Sequence, residues 1–295
     1  MSDFRCGSVA FAGRPNAGKS SLLNALLGEK LAIVSAKAQT TRHLLTGVLT
    51  TGDCQYLLVD LPGYQTRHLG MLNRALNRQA IAGARDCDRV TLVVEALRYG
   101  REDHAVLARI PRDARIVVAV NKIDLVRDRA QLLPFLQRLS QEREFAALVP
   151  VSARSGENLP ELLRVLREGL PQGPAAYPPE QLSDRNERFF AAEILREKLF
   201  RRLGEELPYR CDVALETFRE EGRLRRIEAT IWVERESHKP IVIGAAGATL
   251  KRIASDARRE METRFGGKVA LGVWVKVKRD WTADAKALRQ LGYAA

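Results

Sequence analysis

Gly13-Arg14-Pro15-Asn16-Ala17-Gly18-Lys19-Ser20 follows a short apolar run at residues 8–12 and leads into a helical stretch from Ser20 to Leu27 that Gly28 closes. A Gly-x-x-x-x-Gly-Lys-Ser turn between a strand and a helix reads as a phosphate cradle. Its glycines let the backbone wrap closely, so that successive N–H groups face phosphate oxygens, and the helix N-terminus adds its dipole. Lys19 is then placed to reach the β- and γ-phosphates, and the Ser20 hydroxyl to ligate Mg²⁺.

Working outward from this turn, apolar β-branched runs recur at 56–59, 90–94, 116–120 and 148–151. Helix-like segments lie between most of them, at 69–82, 102–109, 129–143 and 159–169. Such alternation predicts an α/β domain: a mostly parallel sheet with flanking helices. Asp60-Leu61-Pro62-Gly63 closes the run at 56–59, where a carboxylate would hold the magnesium shell and the Gly63 N–H would sense a γ-phosphate. Between the two motifs, Ala38-Gln39-Thr40-Thr41-Arg42-His43 offers a threonine to the metal, Thr41 in preference to Thr40, that would order the loop while a γ-phosphate is bound.

Asn121-Lys122-Ile123-Asp124 closes the run at 116–120. A carboxylate accepts both the N1–H and the N2 amine of guanine, whereas adenine presents an acceptor and no amine; the mismatch costs several kcal/mol, so Asp124 selects GTP over ATP. Asn121 is expected to donate toward the base and the Lys122 stem to lie over the purine. Ser152-Ala153 follows the run at 148–151, with a backbone N–H for guanine O6. Tyr64 stands where many GTPases carry a water-orienting glutamine, which predicts slow unassisted turnover. The Asn16 side chain is a candidate ligand for a monovalent cation, K⁺, beside the phosphates.

The texture breaks at Pro171, Gly173, Pro174, Pro178 and Pro179. These residues predict a stiff linker over 171–183, between a nucleotide domain at 1–170 and a second domain at 184–295. The second domain reads as a helix at 187–203, strands at 212–218 and 225–235, and Ile241-Val242-Ile243 before a Gly244-Ala245-Ala246-Gly247 turn. An amphipathic helix carrying Leu250, Ile253, Ala254, Ala257 and Met261 comes next, then an alternating strand at 269–277. A Gly-x-x-Gly turn opening a helix is the backbone clamp of KH domains. Lys251, Arg252, Arg258 and Arg259 lie off the apolar face of that helix; Trp274, Lys276, Lys278 and Arg279 decorate the last strand, where cations with an interleaved aromatic suit single-stranded nucleic acid, although Trp274 is expected in the core in preference to a stacking role.

The formal charge is +12, which favours a polyanionic partner. Residues 1–180 carry 24 basic and 18 acidic side chains, and residues 181–295 carry the same numbers, so the excess is denser toward the C-terminus. No apolar run approaches the roughly 20 residues of a membrane-spanning helix. The N-terminus also lacks the basic-then-apolar shape of a signal peptide, so the cytoplasm is the expected compartment. Cys6, Cys54, Cys87 and Cys211 have neither metal-ligand nor redox-motif spacing and are expected to be structural.

Together these motifs resemble the Era family of bacterial GTPases, in which a Ras-like GTPase domain is joined to a type II KH domain. The resemblance rests on Gly13–Ser20, Gln39-Thr40-Thr41-Arg42-His43, Asp60–Gly63, Asn121–Asp124 and Ser152-Ala153. It continues through Arg196-Glu197-Lys198-Leu199, Leu207-Pro208-Tyr209, Val233-Glu234-Arg235 and the run from Leu271 to Lys278. It implies a monomer that binds GTP or GDP with Mg²⁺ and docks on small-subunit ribosomal RNA near its 3′ end during 30S assembly, with peripheral membrane association. Two departures stand out. Leu61 replaces the family's threonine, and Ala245-Ala246 leaves the clamp loop without its usual cation. The neutral loop favours one rival, a signalling GTPase whose C-terminal module docks protein or membrane.

Overall fold

A computed structural model describes residues 4–35, 37, 40–66, 70–204 and 206–293. Its backbone contacts divide the chain into two units, the first holding residues up to Asp184 except Gly70–Leu72, the second Gly70–Leu72 and the residues from Arg185 on.

The first unit is built on strands β1 (Arg5–Ala12), β2 (Leu45–Thr50), β3 (Cys54–Asp60), β4 (Arg89–Glu95), β5 (Ile116–Asn121) and β6 (Ala147–Pro150). They form one sheet in the order β2-β3-β1-β4-β5-β6, in which β2 alone runs antiparallel to its neighbour. Helices α1 (Lys19–Leu27), α2 (Met71–Arg85), α3 (Arg101–Leu107), α4 (Leu132–Ser140) and α5 (Leu159–Arg167) connect them. Every residue of β4 and β5 is buried, so both faces of the central sheet are covered and the middles of both strands are almost wholly apolar instead of alternating. Because β1 pairs with β3 on one side and β4 on the other, the sheet grows in both directions from β1. Loops at the C-terminal ends of parallel strands converge at such a switch point.

The sequence pattern locates these helices and the parallel strands to within a few residues and misses β2. Gly47 reads as a breaker in the middle of that strand. Its role is steric: a Cβ there would come within 2.6 Å of Leu27 Cδ1, so the glycine lets α1 lie close on the sheet. The expected start of the helix at Leu69, and the Ala38-Gln39 pair, lie outside the described residues. Segment 171–183 is non-helical, yet it is fastened to the first unit throughout. Gly173 N donates to Phe4 O at 3.1 Å, Val48 N to Leu182 O at 2.9 Å, and Ser183 Oγ to Thr46 O at 2.8 Å. Gln55, fully buried, accepts from Ala176 N and Tyr177 N at 2.7 and 2.9 Å and donates to Tyr177 O at 2.8 Å.

The second unit comprises α6 (Glu187–Arg202), β7 (Cys211–Glu221), β8 (Leu224–Val233), α7 (His238–Ile243), α8 (Ala248–Phe265), β9 (Lys268–Val277) and α9 (Ala285–Gln290). Its sheet runs β7-β8-β9, with β8 antiparallel to β7 and parallel to β9. Two helices were not legible beforehand. Six-residue α7 is too short for a periodic pattern and contains Pro240. The C-terminal α9 seats a buried Trp281 and Tyr293, the Trp281 indole donating to Arg210 O at 3.1 Å. Trp274 corrects an expectation: it is 49% exposed on β9 instead of lying in the core, because odd positions such as Val269 and Val275 take the inward face. The cysteines are free thiols, with Cys54 and Cys211 buried.

Candidate functional site

The turn Gly13–Ser20 leaves β1 and enters α1 at the switch point, and its glycines are sterically required. A Cβ on Gly13 would sit 2.5 Å from Val93 O, and one on Gly18, whose φ is +99°, 2.2 Å from Asn121 Nδ2. Gly63, after β3, faces the same turn; a Cβ there would meet Pro15 Cα at 3.0 Å. Leu61 is buried in the core and leaves Asp60 and Gly63 in place, as expected. Pro62 is buried beside it. Tyr64 is half-buried, with the Arg109 guanidinium 5.6 Å from its ring centroid.

Three oxygen-bearing side chains from three segments meet beside this turn. Ser20 Oγ lies 2.6 Å from Asp60 Oδ2 and 2.8 Å from Thr41 Oγ1, and Thr41 Oγ1 donates to Asp60 Oδ2 at 3.0 Å. Thr40 turns away and donates to Lys37 O at 2.8 Å, which separates the two candidate threonines. Hard, uncharged and anionic oxygens so grouped fit the donor set of Mg²⁺. Lys19, 6% exposed, donates to Gly13 O and Arg14 O at 3.2 and 3.1 Å, back into its own loop. Burial lowers its pKa to about 8; Asp60 opposes the shift and Arg14 adds to it. Asn16 sits at φ +61° on the same turn, and Ala17 is buried.

Asn121, Lys122, Asp124, Ser152 and Ala153 also come together. The Asn121 amide, expected at the base, donates to Ala17 O at 3.1 Å, while its Oδ1 accepts from Lys122 N and Ala153 N at 2.8 and 3.1 Å. Asn121 is thus a buried brace among three loops. The Ala153 N–H, expected for guanine O6, is engaged by that brace, and Ser152 N donates to Glu157 O at 3.1 Å. Asp124 is exposed, as a base-reading carboxylate must be, and one oxygen accepts from the buried Ser152 hydroxyl at 2.7 Å.

Sequence reasoning missed Glu95, at the end of β4. Its carboxylate binds Arg14 Nη2 at 3.0 Å, Lys122 Nζ at 2.9 Å and Arg98 Nη1 at 3.0 Å. Arg14 also reaches Asp103 at 3.3 Å. Burial alone would raise the Glu95 pKa, but the hydrogen bonds from Lys122, Arg98 and Arg14 hold it down at about 2. An acidic residue ending a strand at the sheet's C-terminal edge was the available signal.

In the second unit, Gly244 and Gly247 take φ of +75° and +78° in the turn joining α7 to α8. Ala245 and Ala246 are exposed, and Ala246 is held at φ +47°, ψ +29°, a left-handed conformation strained for a residue with a Cβ. Lys251 and Arg252 project from the first turns of α8 into solvent. Arg258 is paired to Glu262 at 2.8 Å and Arg259 to Asp256, so these two are less available than expected. Among the described residues no helix is long and apolar enough to cross a membrane.

Residues 8–122 match the family model of a 50S ribosome-binding GTPase, and residues 206–282 match that of a KH domain. The chain is 48% identical over 292 residues to the GTPase Era of Nitrosomonas eutropha, with 99% of each chain covered. It is 47% identical over 289 residues to the GTPase Era of Chromobacterium violaceum, with 98% of each covered. A crystal structure of an Aquifex aeolicus Era variant bound to GDP·AlF4⁻ gives a TM-score of 0.95 at 33% identity, covering 99% of this chain and 100% of that one. Era in complex with MgGDPNP and nucleotides 1506–1542 of 16S ribosomal RNA gives 0.94 at the same identity and coverage. With the phosphate turn, the magnesium-type oxygens and the glycine clamp all in place along that shared length, the chain belongs to the Era family of GTPases.

Proposed function

We propose that this protein is a GTP-hydrolysing switch that binds small-subunit ribosomal RNA near its 3′ end through its KH unit and acts in assembly of the 30S subunit. The observation that carries the nucleotide half is the meeting of Ser20, Thr41 and Asp60 within 3.0 Å beside Lys19. In this reading those three oxygens hold Mg²⁺, which when bound neutralises charge on the phosphate oxygens. Residues Gly13 to Ser20 cradle GTP or GDP, Lys19 faces the β- and γ-phosphates, and the Gly63 N–H registers the γ-phosphate. Asp124, oriented by Ser152, accepts from guanine N1–H and N2, and the Lys122 stem, drawn toward Glu95, covers one face of the base. Tyr64 leaves no glutamine to orient water, so unassisted turnover is slow; Asn16 seats K⁺ as a partial substitute.

The RNA half is supported by the Gly244–Gly247 turn, with Lys251 and Arg252 exposed behind it, and by the 16S nucleotides in the related Era complex. Its compartment is the cytoplasm, with peripheral contact to the inner face of the membrane through the basic surface. Asp124→Asn tests the base reading: GTP affinity should fall and xanthosine triphosphate affinity rise, and an unchanged preference for GTP would reject it. For the RNA reading, filter binding of a 3′-terminal small-subunit RNA at two salt concentrations should reveal a sequence-dependent component. Binding no tighter than to an unrelated RNA would favour the protein-docking rival.

A further inference from the structure

At the edge of the first unit's sheet away from the nucleotide loops, by the starts of β4 and β5, lies an open hollow of about 410 Å³. Arg85, Asp88, Arg89, Asp113, Arg115 and Gly169 are on its wall. Arg89 is 9% exposed, and its Nε and Nη1 are covered without a hydrogen-bond partner among the described residues. The guanidinium lies against the backbone of Gly169, where a Cβ would come within 1.5 Å of Nη2, so a glycine is needed to admit it. Burial, and then the Arg115 charge beside it, pull the Arg89 pKa below the usual arginine value.

The nearby carboxylates answer this charge only in part: Glu168 raises the Arg89 pKa, but by less than burial and Arg115 lower it. Asp88 Oδ2 is taken by the Ser8 N–H and hydroxyl at 2.7 and 2.8 Å. Glu168 is exposed and paired with Arg164, and Asp113 is exposed at the rim. A buried cation without a close counter-charge is unfavourable, and with Nε and Nη1 covered it is Nη2, with a second arginine beside it, that is left to donate to a phosphate oxygen. None of these residues belongs to the GTPase motifs.

We propose that this hollow is an oxyanion site for a phosphate group, gripped by Arg89 with Arg115 at its rim. The group is either inorganic phosphate or the phosphate of a small monoester, and the room beyond the guanidinium admits both. The test uses the full chain saturated with Mg·GDP, so that the nucleotide loops are filled, at ionic strength held constant with chloride. Inorganic phosphate and ribose 5-phosphate are titrated separately by calorimetry, with thermal unfolding read alongside. Wild type should bind at least one of them saturably, and the tighter of the two identifies the source. Arg89→Met should weaken that binding at least tenfold while unfolding at a higher temperature than wild type in chloride alone, because it removes a buried charge with no carboxylate in hydrogen-bond contact. The exposed-site variant Arg115→Gln, which does not disturb the core, should weaken binding about threefold. GDP affinity should be the same in all three proteins. No saturable binding to wild type, or equal binding by wild type and Arg115→Gln, overturns the proposal.

Discussion

Lys19 shows how a single residue couples the nucleotide site to protonation. Its ammonium is buried against carbonyl oxygens, and its pKa falls from 10.5 to about 8. A lysine whose pKa drops on folding binds fewer protons folded than unfolded between those two values. The nucleotide-free protein should therefore gain stability as pH rises from about 8 toward 10.5, by up to about 3 kcal/mol, with the penalty fully present below that window. Phosphate oxygens at the turn favour the charged amine and reverse the shift. Binding of Mg·GDP at pH 8 should accordingly take up a substantial fraction of a proton, measured by calorimetry in buffers of different ionisation enthalpy. Buffer-independent heats at that pH would mean that Lys19 does not face the phosphates. The same residue was legible from the first motif; its depressed pKa was not, because burial is a property of the folded chain and Asp60, which opposes the shift, lies 41 positions on.

At the scale of elements, the site depends on strand ends being held together. β4 contributes no nucleotide motif, yet its last residue, Glu95, ties the loop after β1 to the loop after β5 through Arg14 and Lys122. Glu95→Gln leaves the cations around it without their shared charge, in a position that is 9% exposed. GDP affinity should fall about tenfold, read with a fluorescent analogue, with Asp124 unaltered and the base preference intact. Unchanged affinity would reduce Glu95 to a stabilising contact. Strands β1, β3, β5 and β6 were readable because their ends carry recognisable turns, whereas Glu95, β2 and α7 carry none. The loop between α7 and α8 offers a second trial. Ala246→Lys should tighten RNA binding and steepen its salt dependence by about one ionic contact, because Gly244 and Gly247 already permit close backbone approach. Ala246→Gly should instead stabilise the unit, by up to about 1 kcal/mol, by relieving the positive φ. If Ala246→Lys alters neither RNA affinity nor salt slope, the loop does not touch phosphate.

Over the whole molecule, composition marks a break at the proline-rich stretch, whereas the division into two units falls just past it, at Asp184 and Arg185. Proline and glycine composition reports stiffness and the loss of helix; it says nothing about which backbone groups find partners. Residues 171–183 run along the first unit, and the buried Gln55 amide is satisfied by Ala176 and Tyr177. Nothing in the local sequence around Gln55 announces those partners, 121 and 122 positions away. A fragment ending at residue 170 would strip three hydrogen bonds from an amide that is fully buried in the intact chain. It would also free the edges of β1 and β2, since Cys6 N donates to Pro171 O and Val48 N to Leu182 O. At about 1 kcal/mol for each such bond, the loss should amount to several kcal/mol, a large share of a domain's stability. Residues 1–184 expressed alone should therefore unfold cooperatively at a clearly higher denaturant midpoint than residues 1–170, and should bind GDP as tightly as the intact chain. Equal midpoints for the two fragments would show that the segment is a tether after all. A GDP affinity in 1–184 well below that of the full chain would show instead that the nucleotide site needs the second unit.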